Sequence, residues 1–166
     1  GRATFQPAAL PCTLTAIELI EQPIDAAGQS LTFTGVSVGN PHCVVFKPAG
    51  QSWSREDLLK LGPALENHAL FPKRTNVQLA VPTGPKELFI LIWERGAGET
   101  QASGSSSCAA ASAAIRLGLV KSPVTVKMPG GQLNIEVAAD YSLTMKGPVA
   151  EVARGSLSPS FVRSLR

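Results

Sequence analysis

"ERGAGETQASGSSSCAAASAAIRLGL", Glu94 to Leu119, places an adjacent acid and base, two spaced glycines and a run of small polar residues ahead of an alanine-rich segment. Alanine is the best helix former and glycine is favoured just past a helix end, so the stretch predicts a helix over Ser105–Leu117 closed by Gly118. The loop before it is Gly, Ala and Ser, which lets a ligand come close to the backbone. A helix N-terminus offers unpaired N–H groups and a partial positive charge, suited to carboxylate or phosphate. Arg95 can pair bidentately with a carboxylate, and Glu94 can accept from an ammonium group. An amino acid carries both charges. Tight helix–strand packing explains the small residues equally well, whereas a charged pair at a strand end is harder to explain by packing. At the mouth of the helix, where an acid–base group would be best placed, stands Ser103. The nearest thiol, Cys108, lies about 140° further around the helix and more than a turn deeper. It reads as a small buried residue.

Strands surround this segment. "ELFILIW" is apolar from Leu88 through Trp93 and reads as a central strand, which puts Glu94 and Arg95 at its end. "NVQLAV" alternates Val77, Leu79 and Val81, and Cys43 to Phe46 suits a strand buried on both faces. In "LTFTGVSVGNPHCVVF" the apolar positions change parity at Gly35, which predicts a β-bulge. "VTVKM", a Pro-Gly-Gly turn, "QLNIEV" and "YSLTMKG" read as a meander. "SREDLLKLG" predicts a short helix capped by Ser54 and Asp57 and ended near Gly62-Pro63. The sum is a strand-rich α+β chain with one prominent helix.

Composition narrows the class. The chain has 166 residues, 44% hydrophobic and 16% charged, enough to bury a core as one domain or two small lobes. No apolar run reaches the roughly 18 residues of a membrane span, and the first residues lack the basic-then-apolar order of a signal peptide. No membrane association and a cytoplasmic location are expected. Three cysteines with no C-x-x-C spacing read as reduced thiols rather than a disulfide framework or zinc ribbon, and no metal is expected. A net charge of +3 with scattered Lys and Arg gives no nucleic-acid footprint. The locally basic "ARGSLSPSFVRSLR" reads as a solvated terminus.

Two further polar clusters stand at strand starts. In "GNPHC", Asn40 before Pro41 forms a turn, which alone would account for it; Asn40 and His42 can also present an amide and an imidazole to a substrate. "RTN", Arg74 to Asn76, reads by itself as a solvated loop, and His68 as a surface residue.

Taken in order, GNPHC, RTNV, WERGAGET followed by A-x-G, PGGQLNIEV and MKGPVAEVARG resemble diaminopimelate epimerase, specifically its C-terminal half, from about Arg2 to Gly155. The resemblance implies one lobe of the diaminopimelate-epimerase-like fold: a curved, mainly antiparallel sheet wrapped around a central helix, spanning 1–155, with 156–166 as a flexible tail. It implies a cofactor-independent isomerase that converts LL- to meso-diaminopimelate for lysine and peptidoglycan precursors. In the family two cysteines, one from each lobe, work on opposite faces of the α-carbon from helix starts. Carried over, Asn40 and Asn76 would contact the distal end of the substrate. Glu94 and Arg95 would bind its charged groups, with Glu94 and His42 also supporting catalysis. Gly104 and Ser105 would hold the α-carboxylate through backbone N–H groups. A homodimer is the family's expected assembly.

Two departures stand out. Nothing here resembles the C-G-N-G block of the other lobe, so an exposed face is expected where that lobe packs, and the chain is expected not to epimerise alone. The family motif A-C-G-[ST] reads Ala102-Ser103-Gly104-Ser105 here, which places Ser103 at the second catalytic cysteine. A serine hydroxyl is far less acidic than a thiol. An engineered substitution, a natural variant relying on one thiol, and a superfamily relative with changed chemistry all fit. The alternatives to an epimerase lobe are another racemase, isomerase or dehydratase of the superfamily, or a catalytically silent binding domain.

Overall fold

Two polypeptide crossovers organise the molecule. Parallel strands cannot be joined by a tight turn and need a crossover, usually helical. The computed structural model describes residues 1–165, with Arg166, the end of the expected 156–166 tail, outside them. Its strands are β1 (Gln22–Ala26), β2 (Gln29–Ser37), β3 (Pro41–Phe46), β4 (Asn76–Gly84), β5 (Glu87–Glu94), β6 (Gly98–Thr100), β7 (Val124–Met128), β8 (Gly131–Val137) and β9 (Leu143–Lys146). They form one sheet in the order β1-β2-β3-β4-β5-β7-β8-β9, with β6 paired beside β5. All pairs are antiparallel except β3–β4 and β5–β7. The crossover between β3 and β4 carries α1 (Arg55–Glu66), and that between β5 and β7 carries α2 (Gly104–Arg116).

The helices cover opposite faces. Strand side chains alternate, so Val36, Val44, Ala80, Ile90, Val126 and Ile135 face α2, whereas Phe33, Val45, Leu79 and Leu91 face Leu58, Leu61 and Leu65 of α1. Helix α2 is buried nearly all round, with Ala109, Ala110, Ala111, Ala113 and Ala114 inaccessible to solvent. Its small side chains let the sheet approach closely, and β2, β3, β4, β5, β7, β8 and β9 pack against it. This is the α+β lobe expected from the sequence, with the predicted helix displaced by a single residue.

The double covering corrects the reading of Gly35. No bulge occurs there: the β2–β3 register runs unbroken from Phe33 opposite Val45 to Ser37 opposite Pro41. Both parities are apolar because both faces are buried. Leu31 and Phe33 pack on the α1 side, Val36 and Val38 on the α2 side. Gly35 occupies an α1-side position already filled by Leu10 and Leu19, whose side-chain atoms would lie within 2.9 Å of an added Cβ.

Helix α1 also departs from expectation. Its capping box forms, with Ser54 Oγ accepting from Asp57 N and Asp57 Oδ2 accepting from Ser54 N, each at 3.0 Å. The helix then continues through Gly62 and Pro63 to Glu66. Pro63 frees the carbonyl of Leu59, an exposed residue where water can replace the lost bond. Burial of Leu58, Leu61 and Leu65 holds the last turn. Strands β1 and β6 were not read from the sequence. The first pairs with β2 through a two-residue turn in which Ala27 (φ 49°) and Gly28 (φ 75°) are both left-handed, as the favoured hairpin turn requires.

After β9 the chain leaves the core. Val149 and Val152 are 98% and 95% exposed, and the short helix α3 (Pro159–Ser164) buries no residue. No helix among the described residues is long and apolar enough to cross a membrane.

Gly62 generates a prediction. A Cβ there would lie 2.7 Å from indole atoms of Trp93. That ring is pinned by a 2.7 Å bond from its Nε1 to Glu66 Oε2, so it cannot swing away freely. Gly62→Ala should therefore lower stability by about 1–3 kcal/mol in urea denaturation, despite alanine's better helix propensity.

Candidate functional site

Sheet register gathers the candidate residues. Parallel pairing sets His42 opposite Asn76, and antiparallel pairing sets Val77 opposite Trp93. Asn40, His42, Asn76, Glu94 and Arg95 therefore meet at one end of the sheet. His42, Asn76 and Glu94 share parity with Val44, Ala80 and Ile92, which face α2. They rise on the side that carries α2, near its first turn.

Asn76 is 7% exposed, and its carboxamide ties two turns together. Its Nδ2 donates to Pro41 O at 2.8 Å, and its Oδ1 accepts from Arg95 N at 3.0 Å. The GNPHC and ERG turns are thus held by one side chain. "RTN" is a solvated loop only as far as Arg74, because Thr75 and Asn76 are buried. Asn40 Oδ1 lies 3.0 Å from His42 Nε2. His42 is wholly inaccessible, and its pKa is pushed down to about 4 from 6.5, chiefly by burial, with the positive charge of Arg95 lowering it further and the neighbouring Gln78 carboxamide opposing the shift. The imidazole is neutral near pH 7.

The segment from Glu94 to Gly98 is a hairpin rather than a plain loop, since β6 returns antiparallel to β5 with Glu94 opposite Gly98. Gly96 and Gly98 have φ of 80° and 83°, a conformation that side chains disfavour. Arg95 is exposed, and its Nη1 donates to Lys73 O at 3.1 Å. Glu94 is half-buried and forms no ion pair among the described residues.

Glu66, missed in the sequence, anchors this hairpin. It is 5% exposed, and its carboxylate accepts from Trp93 Nε1 (2.7 Å), Gly96 N (2.8 Å) and Arg74 Nη1 (3.0 Å). The available signal was an acid directly after Leu65, the last buried leucine of the α1 stripe. His68, expected on the surface, is half-buried, and its Nδ1 accepts from Leu70 N at 3.2 Å.

At the start of α2, Ser103 is the N-cap, its Oγ 3.5 Å from Ser106 N and 3.4 Å from Ser105 Oγ. Gly104 and Ser105 are partly exposed at the first turn. A cleft of about 260 Å³ opens beside Ser103 and Gly104, walled by Met128, Gly130, Gly131, Leu133 and Pro148. Asn40, His42, Asn76, Glu94 and Arg95 do not line it. Roomier clefts, about 430, 460 and 540 Å³, lie elsewhere, at Arg2–Gln6 with Glu18 and Tyr141, at Pro82–Pro85 with Leu119, and at Gln6–Ala8 with Leu14–Ile17. Neither buried thiol can substitute for Ser103, because burial raises the pKa of both Cys43 and Cys108.

A curved, mainly antiparallel sheet closed on a small-residue helix, with amide, imidazole, carboxylate and guanidinium collected at one sheet end, is an architecture that other proteins share. A solved structure described as a predicted epimerase from Pseudomonas aeruginosa superposes with a TM-score of 0.56 at 21% identity, covering 95% of this chain and 56% of that one. Residues 34–152 match the family model for diaminopimelate epimerase. Among curated relatives, the diaminopimelate epimerase of Desulfitobacterium hafniense is 40% identical over 95% of this chain and 54% of its own length, and that of Methanothermobacter thermautotrophicus is 39% identical over 84% and 48%. The chain belongs to the diaminopimelate epimerase family, and it spans about half the length of the curated relatives it matches.

Two measurements follow from this geometry. Unfolded chain takes up a proton at His42 near pH 6.5, whereas folded chain resists until about pH 4. Stability should therefore fall as pH drops through that window, by about 3 kcal/mol from this group. Comparing urea unfolding of His42→Gln with the parent across pH should show a shallower slope in the variant. Among the thiols, half-buried Cys12 should react with a thiol reagent in the native chain, and Cys43 and Cys108 only after denaturation.

Proposed function

We propose that this chain forms the substrate-holding C-terminal lobe of a cofactor-independent amino-acid epimerase acting on diaminopimelate in the cytoplasm, with residues 156–166 as an appended tail. The observation that carries this reading is the gathering of Asn40, His42, Asn76, Glu94 and Arg95 beside the α2 N-terminus in a member of this family. The first-turn N–H groups of Gly104 and Ser105 would receive the α-carboxylate, where the helix dipole favours negative charge. Exposed Arg95 would take a second carboxylate and half-buried Glu94 an ammonium group, while Asn40 and Asn76 define the distal end. No metal or cofactor enters this scheme.

Epimerisation without a cofactor needs a base on one face of the α-carbon and a proton donor on the other. This lobe offers one such position, Ser103, and its hydroxyl is a poor acid–base group at neutral pH. The opposite face would be supplied by a second lobe. Val149 and Val152, standing in solvent just after β9, support a partner surface there. A homodimer of the two-lobe protein is part of the same proposal. Ser103 also supports a second reading, a one-base elimination or isomerisation on a related carboxylate, since losing one of two acid–base groups disables two-face chemistry more.

The 166-residue chain should give no wash-in of solvent deuterium at the α-carbon of diaminopimelate. A two-lobe protein made by joining it to the N-terminal half of the Desulfitobacterium relative should gain roughly 10²-fold or more in exchange rate on Ser103→Cys. Equal rates with serine and cysteine would overturn the assignment of Ser103.

A further inference from the structure

Two side-chain polar atoms among the described residues are buried with no partner, His42 Nδ1 and Gln78 Oε1. Leaving a buried polar atom unpaired is costly, so a pair of them in one place has a physical cause. They belong to neighbouring residues. His42 lies opposite Asn76 in the β3–β4 register, Gln78 follows two residues later on the same face, and its carboxamide interacts with the imidazole. On its other side Gln78 Nε2 is 3.0 Å from Ser106 Oγ, in the first turn of α2.

The donor inventory fixes the outcome. The ring is neutral, so one nitrogen carries the proton and the other accepts. With the Asn40 carboxamide oriented so that Oδ1, which can only accept, sits 3.0 Å from Nε2, the proton belongs on Nε2. Nδ1 is then a bare acceptor, which only a donor can satisfy, and Gln78 Oε1 cannot serve. A half-turn of the Gln78 carboxamide exchanges its oxygen and nitrogen within the same volume. Nε2–H of Gln78 then donates to His42 Nδ1, and Oε1 accepts from the Ser106 hydroxyl. All the buried atoms are satisfied by this one rotation.

We infer that Gln78 is the positioning residue for His42: by donating to Nδ1 while bound to Ser106, it locks the imidazole as the Nε2–H tautomer and couples it to the first turn of α2. The consequence is chemical. His42 presents a fixed N–H toward Asn40 and has no free lone pair, so at this site it acts as a donor and not as a base. The inference rests on the proposed function only for the view that His42 belongs to a substrate site; the tautomer is measurable without any turnover.

The test is a long-range ¹H–¹⁵N spectrum of the imidazole nitrogens in the ¹⁵N-labelled chain. There are two histidines, and His68→Gln assigns them. The expected parent spectrum shows His42 protonated on Nε2 and bare on Nδ1 from about pH 5.5 to 8. In Gln78→Glu the carboxylate can only accept, so the proton should move to Nδ1 and the titration midpoint should rise by at least about one pH unit against the opposing charge of Arg95. In Gln78→Met the donor is lost and both tautomers should be seen. A parent spectrum with the proton on Nδ1 overturns the inference, as does a Gln78→Glu spectrum that keeps Nε2–H with an unchanged midpoint. The parent spectrum decides even if both variants fail to fold. Absence of epimerase chemistry would leave these spectra as they are, so failure of the proposed function and failure of this inference are told apart.

Discussion

The packing of α2 against the concave face of the sheet is the contact on which the rest depends. A buried surface of alanine, serine and cysteine has no long side chains to hold the strands away, so β2, β3, β4, β5, β7, β8 and β9 can all reach the same helix. Close packing on this scale fixes the helix axis, and with it the position of its first turn. The helix start must then emerge at the sheet end where β3 and β4 begin and β5 finishes. The location of the helix start is a result of where a small helix fits, before any particular polar residue is considered.

Polar groups then set the two turns that frame this helix start. Asn76 joins Pro41 to Arg95, and Glu66 joins Trp93, Gly96 and Arg74. Both side chains are buried and bound to backbone, so their bonds are geometrically restrictive as well as favourable. The carboxylate of Glu66 acts on the opposite face of the sheet from α2, through Trp93. The position of Arg95 is therefore determined from both sides of the sheet at once, by an amide on one and an acid on the other.

Most of the strands were legible because period-two apolar patterns mark strands directly, and α2 was legible from alanine content and its Gly118 stop. What failed has a common cause. Gly35 and Gly62 were read for local conformation, as a bulge and a helix stop, but both are glycine because a distant side chain occupies the Cβ position: Leu10 and Leu19 in one case, Trp93 in the other. Such contacts join residues far apart in the chain and leave no periodic trace. The site shows the same division. Residue identities at Asn40, His42, Asn76, Glu94 and Arg95 could be picked out from their motifs, whereas Glu66, Gln78 and Ser106 support them through contacts that no motif displays. Asn76 illustrates the boundary: it was picked out as a substrate contact, and the structure adds that its carboxamide holds two turns together.

The parallel pairing of β3 with β4 has a kinetic side. The groups at the site come from segments near 40, 66, 76, 95 and 106; the β4–β5 hairpin joins 76 to 95, whereas the segment near 40 joins them only through the β3–β4 pairing, which closes the long loop through α1. Such non-local pairing is intrinsically slow to form. A slip of one residue between β3 and β4 would turn Asn76 to the far side of the sheet, away from Pro41 and Arg95. His42 is buried only where β3, β4 and the start of α2 are all in place, so the state of one imidazole reports whether that part of the sheet has reached its final register.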